Sequence, residues 1–192
     1  MQFHDPLNAN LIESKATYAE KINSGFFEKY FSGEIILDIG YKGSNTNADP
    51  ILPKAIGIDI DYPGYDGKIL PFSTGSVDTV YTSHCLEHIA DYSGAILEWF
   101  RVLKIGGYLI IIVPHMYLYE RRQFLPSKWN LDHKRFYTPA RLIREVEETI
   151  SVEKYRVVSL KDNWNENYNY SGNIEEHAHG PYEIELVLVK IN

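Results

Sequence analysis

The chain has one cysteine, more acidic than basic residues and no long apolar run, and each shortage excludes a class of protein. A single cysteine cannot form an internal disulfide, which favours a reducing, cytoplasmic location. The net charge of −7 argues against broad nucleic-acid binding, because that binding depends on cations that displace counterions from phosphates. The longest apolar run, 108–113, is too short to predict a membrane span, and the amino terminus lacks the basic and apolar regions of a secretory signal. A small-molecule or glycan partner is therefore expected.

The length of 192 residues and the apolar content of 44% fit a single domain spanning 1–192. Apolar spacing over 1–33 predicts one or two leading helices. Beyond them, short β-rich runs alternate with helical patterns, which predicts an α/β fold with a doubly wound, mostly parallel sheet. The predicted strands are 34–40, 55–60, 68–69, 77–82, 108–113, 154–160 and 183–191.

Two helices in this pattern carry signals for their ends. An amphipathic helix is predicted over Tyr92–Lys104, with Gly106 and Gly107 as its stop. A second helix should begin at Thr138, whose hydroxyl can cap it, with Pro139 in its first turn. Ligands of such a fold bind beyond the carboxyl ends of the strands, so that edge is where functional residues are expected.

Carboxylates and glycine end the first two predicted strands. Asp38 and Gly40 end the first, and Asp59 ends the second, 19 residues after Gly40. A carboxylate at that spacing can accept hydrogen bonds from both ribose hydroxyls, and a glycine allows close approach to the backbone. The alternative interpretation is a tight turn with two helix-capping aspartates. In this order the residues favour a nucleoside site.

The glycine pattern separates two nucleoside cofactors. A dinucleotide fold usually shows G-x-G-x-x-G, which is absent after Gly40, and no Tyr-x-x-x-Lys pair indicates short-chain hydride chemistry. A nicotinamide oxidoreductase is therefore disfavoured. Asp38, two residues before Gly40, could instead meet the amino group of a methionine moiety.

Four stretches carry a family resemblance: ILDIG, GIDID, YDGKILPFSTGSVDTVYTSHCLEHIAD and EWFRVLKIGGYLIIIVP. In this order they resemble the motifs of class I S-adenosylmethionine-dependent methyltransferases, firmly over 35–114 and more weakly as far as Leu160. The resemblance implies a Rossmann-like seven-stranded sheet with an antiparallel last strand, and S-adenosylmethionine as cofactor. A further stretch, DHKRFYTP, resembles methyltransferases of bacterial surface-polysaccharide biosynthesis.

The resemblance also implies cofactor contacts, from the methionine end to the adenine. The implied residues are Asp38 and Gly40 at the methionine, Asp59 with Ile60 at the ribose, Asp66 and Gly67 at the adenine amino group, Leu70 over the ring, and Ser83 with His84 along the cofactor edge. One departure is evident, since Lys42 and Ser44 occupy glycine positions of the family loop and Gly43 is displaced. We expect Lys42 to offer its charge to the cofactor carboxylate.

The stretch HCLEH, 84–88, raises the question of a metal. It matches the H-x-x-E-H pattern of inverted zinc peptidases, in which two histidines share one helix face. A zinc site needs a third ligand, and no obvious one lies nearby in the sequence. We therefore expect no metal, with a divalent ion at Glu87 or His88 as a minor alternative.

Methyl transfer to a hydroxyl benefits from a general base, and histidine suits that role near neutral pH. His115 and His133 are the first candidates, followed by His84 at the end of the fourth strand. Asp132 could orient His133 or act as the base itself.

The segment 114–137 mixes aromatic and basic side chains and is predicted to be an insertion on the acceptor side. Such residues can stack on sugar rings and bind anionic groups. The candidate acceptor residues are Tyr119, Arg121, Arg122, Lys134, Arg135 and Tyr137. The alternative is a surface insertion whose aromatics complete the core. The loop 161–182 is a candidate lid, and its His177 and His179 are expected to be solvated.

These features predict an enzyme that O-methylates a sugar or another small anionic acceptor in glycan biosynthesis. The alternative is a catalytically silent module that keeps the cofactor fold and associates with a glycan-biosynthesis partner. A homodimer is left open.

Overall fold

A mostly parallel sheet organises the chain in a computed structural model, which describes residues 1–11, 14–43, 45, 47–162, 168–177 and 182–192. Among these residues the strands are β1 (Ile36–Ile39), β2 (Ile56–Ile58), β3 (Val77–Ser83), β4 (Leu103–Pro114), β5 (Tyr155–Asp162) and β6 (Glu183–Lys190). Their order in the sheet is β2-β1-β3-β4-β6-β5, with β1 to β4 parallel. β6 runs antiparallel to both β4 and β5.

The described sheet has six strands, one fewer than predicted. The predicted strand at Lys68 and Ile69 is a turn, because Asp66 Oδ1 accepts hydrogen bonds from both backbone amides, at 2.9 and 2.7 Å. A side chain that binds the backbone two and three residues onward offers it an alternative to strand pairing. The predicted fold class, an α/β sheet with an antiparallel last strand, is confirmed.

Helices cover both faces of this sheet. They are α1 (Lys15–Asn23), α2 (Phe26–Tyr30), α3 (Tyr92–Val102) and α4 (Pro139–Thr149), with short helical turns at Leu86–His88, Met116–Glu120 and Val152–Lys154. The predicted start of α4 is confirmed, since Thr138 accepts a hydrogen bond from the Arg141 amide and Pro139 is the first helical residue. The predicted stop of α3 is wrong: the chain is already extended at Leu103, and Gly106, with φ +83°, lies within β4.

Two apolar clusters hold the layers together. α3 and α4 bury Trp99 and Leu142 against one face of the sheet. α1 and α2 cover the other face with an aromatic cluster that includes Tyr18, Phe27 and Phe31, each at most 1% exposed. Burying each such side chain stabilises the fold by roughly 1.5–3 kcal/mol. The leading helices predicted over 1–33 therefore form one of the two outer layers.

Within the described residues, none of the helices combines the length and apolar character that crossing a bilayer requires.

Candidate functional site

A cleft of about 680 Å³ opens at the carboxyl ends of β1, β2 and β3. This is the edge where ligands of parallel α/β sheets bind, and the volume suits a molecule of cofactor size. One end of the cleft is lined by residues at and after the ends of β1 and β2. The other is lined by residues of 84–89 together with Tyr119, Asn130, Asp132 and His133. We call these the cofactor end and the acceptor end, after the sequence-based predictions for their residues.

Gly40 shapes the floor of the cofactor end. Its φ of +75° lies in the left-handed region, and its amide donates to the Ile58 carbonyl at 2.8 Å, which joins the ends of β1 and β2. A Cβ at this position would lie 2.5 Å from Cys85 Sγ. Glycine is therefore required here both by its backbone conformation and by the close approach of Cys85.

Asp38 is a buried carboxylate in the wall of the cofactor end. One of its oxygens accepts a hydrogen bond from the Ile51 amide at 2.6 Å. Burial raises the pKa of Asp38 to about 7, and the neighbouring charge of Asp59 adds to the rise, while the Ile51 hydrogen bond opposes it. A cationic ligand beside this carboxylate would favour its ionised form.

Asp59 is held by the backbone amides of the next residue and of the loop that follows β1. Its two oxygens accept from the Ile60 amide at 2.8 Å and the Lys42 amide at 3.2 Å. The Lys42 ammonium pairs with the exposed Asp61, so it points towards the end of β2. Gly43, Ile60 and Gly67, which were predicted to contact the cofactor, line the cleft. Lys42 is not in the lining, and Ser44 lies outside the described residues.

Two other predicted cofactor residues are engaged away from the cleft. Asp66 holds the turn at 66–69, and Leu70 is buried in the core, with its amide donating to Glu98 at 2.7 Å. Tyr41 and Tyr65, which sequence reasoning missed, line the cleft instead. The only signal for them was their position next to the strand-end glycines and carboxylates.

At the acceptor end, two segments far apart in the chain are tied together by the backbone. The Lys134 amide donates to the Glu87 carbonyl at 2.8 Å. The buried Arg135 guanidinium donates to the Leu86 and Ala90 carbonyls at 3.2 and 2.8 Å and stacks on Tyr92. Arg135 therefore fixes this junction, and its predicted role in binding the acceptor does not fit its position.

Glu87 lies at the centre of three imidazoles. Its Oε1 is 3.8 Å from His84 Nδ1, 3.7 Å from His88 Nε2 and 3.9 Å from His133 Nε2. Burial raises the pKa of Glu87 above its usual value, and the three histidines oppose that rise. Neither carboxylate oxygen has a hydrogen-bond partner among the described residues. The sequence predicted His84 and His133 as candidate bases and gave Glu87 and His88 only a minor alternative role, as ligands of a divalent ion.

His84 connects this cluster to the core. It has a left-handed φ of 51°, an unusual conformation for a residue other than glycine and one that is enriched at functional sites. Its Nε2 lies 3.2 Å from Oε1 of the buried Glu183. Burial works to raise the pKa of Glu183, but Lys21 and His84 bring it below its usual value. His84 and Ser83 both line the cleft, as predicted for the cofactor edge.

Each of the other two histidines contacts a carboxylate through its second nitrogen. His133 Nδ1 bonds to the buried Glu120, which also accepts from Ser127 Oγ at 2.6 Å. Asp132 contacts His88 Nδ1 at 3.0 Å. The buried Glu120 therefore orients His133, in place of the predicted Asp132.

His115 lies in a different cavity. Its Nε2 pairs at 3.1 Å with Asp162, which ends β5 at the same edge of the sheet. Arg121 lines this second cavity too, with its guanidinium on the Tyr168 hydroxyl at 3.2 Å. His115 follows β4 and lies beside the ends of β4 and β5. The main cleft opens at the same edge of the sheet but beside the ends of β1, β2 and β3, and His115 is not in its lining.

Of the remaining predicted acceptor residues, one lines the main cleft, and three lie outside its lining and are bound to other groups. Arg122 donates to the Pro126 carbonyl, Lys134 pairs with Asp132 at 2.7 Å, and the buried Tyr137 hydroxyl donates to Glu145 at 2.8 Å. Tyr119 lines the main cleft.

The predicted lid is described in part. Residues 163–167 and 178–181, including His179, lie outside the described residues. The His177 ring is 5.1 Å from that of Tyr119, and the Tyr182 ring is 4.7 Å from it, so the described part of this segment borders the acceptor end. Closure of a lid stays a prediction.

Comparison with known proteins shows what part of the chain is similar to. Residues 42–111 match a family model described as a methyltransferase domain. Over 76 residues it is 33% identical to a ubiquinone/menaquinone biosynthesis C-methyltransferase, UbiE, of Xylella fastidiosa, and that match covers 39% of this chain and 30% of the relative. The match thus spans less than a third of this curated relative.

Solved structures extend the similarity in fold to almost the whole chain. An S-adenosylmethionine-dependent methyltransferase from Aquifex aeolicus superposes with a TM-score of 0.53 at 14% identity, covering 98% of this chain and 100% of that one. One from Archaeoglobus fulgidus gives 0.53 at 18% identity, covering 94% and 98%. These similarities show the fold. Neither the UbiE relative nor these structures support the predicted place in polysaccharide biosynthesis.

Proposed function

We propose that this chain transfers a methyl group from S-adenosylmethionine to an oxygen of a small, uncharged acceptor. The observation that carries the proposal is the cleft itself. It has strand-end carboxylates at one end and a cluster of imidazoles and carboxylates at the other, within a fold that matches methyltransferases.

The cofactor end suits each part of the donor. Asp59 accepts one backbone hydrogen bond at each oxygen, and a carboxylate oxygen can accept a further one, as the ribose hydroxyls require. Asp38 is suited to the methionine ammonium, whose positive charge would favour the ionised carboxylate. In this pose the sulfonium lies towards Ser83 and His84, and its methyl group towards the acceptor end.

His84 is the general base in this proposal. A Nε2–H donated to Glu183 puts the imidazole lone pair on Nδ1, on the side of Glu87. As the acceptor oxygen bonds to the methyl carbon, the carbon–sulfur bond breaks and the hydroxyl proton passes to the imidazole. The products are a methyl ether and S-adenosylhomocysteine. Holding oxygen, methyl and sulfur in line is expected to supply most of the acceleration.

The charges of the acceptor end favour an uncharged acceptor over the predicted anionic one. Glu87 and Asp132 line the cleft, whereas Arg121, Lys134 and Arg135 are engaged outside it. A bound anion would lie against carboxylates with no arginine to pair with. A neutral sugar hydroxyl, stacked on the Tyr119 ring, fits the lining better.

C-methylation of a quinol ring is the second candidate, and the similarity to UbiE favours it. The family match ends at residue 111, before the segment 119–133 that lines the acceptor end, so the acceptor is inferred from the lining.

Calorimetry with S-adenosylmethionine and S-adenosylhomocysteine is the first test, followed by methyl transfer from isotope-labelled donor to sugar and quinol acceptors. An NMR signal from a labelled O-methyl group in the product would support the proposal. A signal from a labelled methyl group on ring carbon would instead support the second candidate. Cofactor binding without turnover on either class would favour the silent binding module.

The role of His84 is tested with His84→Asn, because asparagine tolerates the left-handed backbone. We expect turnover to fall by about 100-fold or more while S-adenosylhomocysteine affinity stays within a few-fold. Unchanged turnover would remove His84 as the base.

A further inference from the structure

Two histidines at the acceptor end, His88 and His133, each point one ring nitrogen to an orienting carboxylate and the other towards Glu87. His88 and His133 each direct Nδ1 to a carboxylate, Asp132 and Glu120 respectively. A neutral imidazole that donates Nδ1–H carries its lone pair on Nε2. Both Nε2 atoms then face Oε1 of the buried Glu87, at 3.7 and 3.9 Å.

This arrangement is unfavourable unless a proton or a metal ion lies among the three atoms, and the separations of 3.7 and 3.9 Å are too long for a proton to be shared in a hydrogen bond. Two lone pairs and a carboxylate would otherwise face one another at the wall of the cleft, and the buried Glu87 has no hydrogen-bond partner among the described residues. The three ligand atoms lie within 4.8 Å of one another. An ion with bonds of about 2.1 Å in tetrahedral geometry holds its ligand atoms about 3.4 Å apart. The two contacts of Glu87 Oε1, at 3.7 and 3.9 Å, would shorten by a few tenths of an ångström, and the nitrogen–nitrogen separation by up to about 1.4 Å.

We propose that Glu87, His88 and His133 bind one divalent transition-metal ion at the acceptor end of the cleft. Two imidazole nitrogens and one carboxylate oxygen suit Zn²⁺, Co²⁺ or Fe²⁺ and disfavour Mg²⁺ and Ca²⁺, which prefer oxygen ligands. Asp132 and Glu120 supply the carboxylate–histidine contacts that orient the ligands of protein metal sites.

The site also explains HCLEH. The sequence pattern suggested two histidine ligands, His84 and His88, and lacked a third. The structure instead turns His84 towards Glu183 and brings in His133, 45 residues beyond His88, through the hydrogen bond between the Lys134 amide and the Glu87 carbonyl. The ligand set therefore differs from the peptidase pattern that the sequence resembles.

For the reaction, the ion would provide an anchor for the acceptor. Glu87, His88 and His133 line the cleft together with Tyr119 and Asn130, so an acceptor hydroxyl oxygen in the cleft could coordinate a bound ion. Coordination lowers the pKa of a bound hydroxyl and orients its oxygen. This role rests on the proposed function, whereas the binding of the ion does not.

The test is a titration of the full, untagged chain with Co²⁺ after removal of metal by a chelator, followed by its visible absorption. We expect one Co²⁺ per chain with the absorption of a nitrogen- and oxygen-ligated ion, displaced by Zn²⁺ and not by Mg²⁺. Affinity should fall by more than about 100-fold in His88→Ala and Glu87→Gln and stay unchanged in His115→Asn, a histidine in the other cavity.

Asp132→Asn provides a variant with little risk to folding, because the Asp132 side chain is 65% exposed. It should weaken Co²⁺ binding by about 10-fold or more through the orientation of His88, while thermal stability without metal stays close to that of the wild type. The inference is overturned if the wild type binds no Co²⁺ or Zn²⁺ at millimolar concentrations. It is equally overturned if binding persists unchanged in His88→Ala and Asp132→Asn.

The two proposals can fail separately. Co²⁺ binding in a chain that does not bind S-adenosylhomocysteine would overturn the proposed function and leave the metal site standing. Binding of S-adenosylhomocysteine without Co²⁺ or Zn²⁺ binding would do the reverse.

Discussion

The two ends of the cleft are built in different ways. At the cofactor end, Asp38 lies near the end of β1 and Asp59 directly follows β2. Their partners are the backbone amides of Ile51, Ile60 and Lys42. At the acceptor end, side chains contact side chains that come from 84–88, 120, 132–133 and 183. The cofactor end depends on strand ends that any sheet of this topology provides. The acceptor end depends on packing that is particular to this chain.

The difference extends to how each end is supported. The cofactor end lies on β1 and β2, whose register fixes it. The acceptor end relies on a buried ion network, in which Lys21 of α1 lies 3.8 Å from Glu183 and 3.7 Å from Glu185, and Glu183 contacts His84. Changes in this network should therefore affect stability first, and changes at the cofactor end should affect ligand affinity.

The largest expected effect is that of Lys21→Met. Removing the ammonium takes away the one buried cation that Glu183 and Glu185 share among the described residues and leaves them with His84 and the partly exposed Lys161, so the free energy of unfolding should fall by about 3–5 kcal/mol. Lys29→Met, in the exposed surface of α2, is the control and should change it by about 0.5 kcal/mol or less. Denaturant unfolding measures both, and equal effects would show that the acceptor end does not depend on this network.

Asp59→Asn should lower S-adenosylhomocysteine affinity by about 100-fold, the equivalent of one or two charge-assisted hydrogen bonds. Asp61→Asn removes the same charge two residues away, on a side chain that is 64% exposed, and should leave affinity within a few-fold. Calorimetry compares the two variants. Similar losses in both would mean that net charge matters here and that Asp59 makes no specific ribose contact.

Asp38 should make stability depend on pH. Its pKa is raised to about 7 in the fold from about 3.9 in the unfolded chain, so the folded state holds a proton that the unfolded state has lost. This contribution to stability is greatest below pH 4 and declines as pH rises towards 7. Between pH 5 and pH 8 the wild type should lose about 2 kcal/mol relative to Asp38→Asn. Parallel pH profiles for the two proteins, from denaturant unfolding, would contradict the buried-charge account.

The smallest expected effect is that of Lys42→Ala. Its ammonium pairs with the exposed Asp61, and exposed pairs contribute about 1 kcal/mol or less, so cofactor affinity should change by no more than about 5-fold. A larger loss of cofactor affinity, measured by calorimetry, would support the predicted contact between Lys42 and the cofactor carboxylate. Arg144→Ala, an exposed cation on α4, is the control for the change in net charge.

Residues close together in the chain allowed much of the fold and the cofactor end to be predicted. Alternation of apolar runs predicted the strands and the doubly wound sheet, Thr138 and Pro139 predicted the start of α4, and strand-end position brought Asp38, Gly40 and Asp59 to the cleft. These signals act over a few residues, through backbone conformation and periodicity. Where local signals competed, prediction failed: Asp66 turned the expected strand at 68–69 into a turn.

Tertiary structure alone decided the acceptor end. His115 and His133 are equivalent in the sequence as histidines of one segment, yet one pairs with Asp162 in a second cavity and the other joins Glu87. The sequence predicts that Arg135 binds the acceptor, but in the structure its guanidinium donates hydrogen bonds to the Leu86 and Ala90 carbonyls. Which carboxylate meets which imidazole depends on how distant segments pack and on which charges packing removes from water, and neither is encoded in the spacing of residues along the chain.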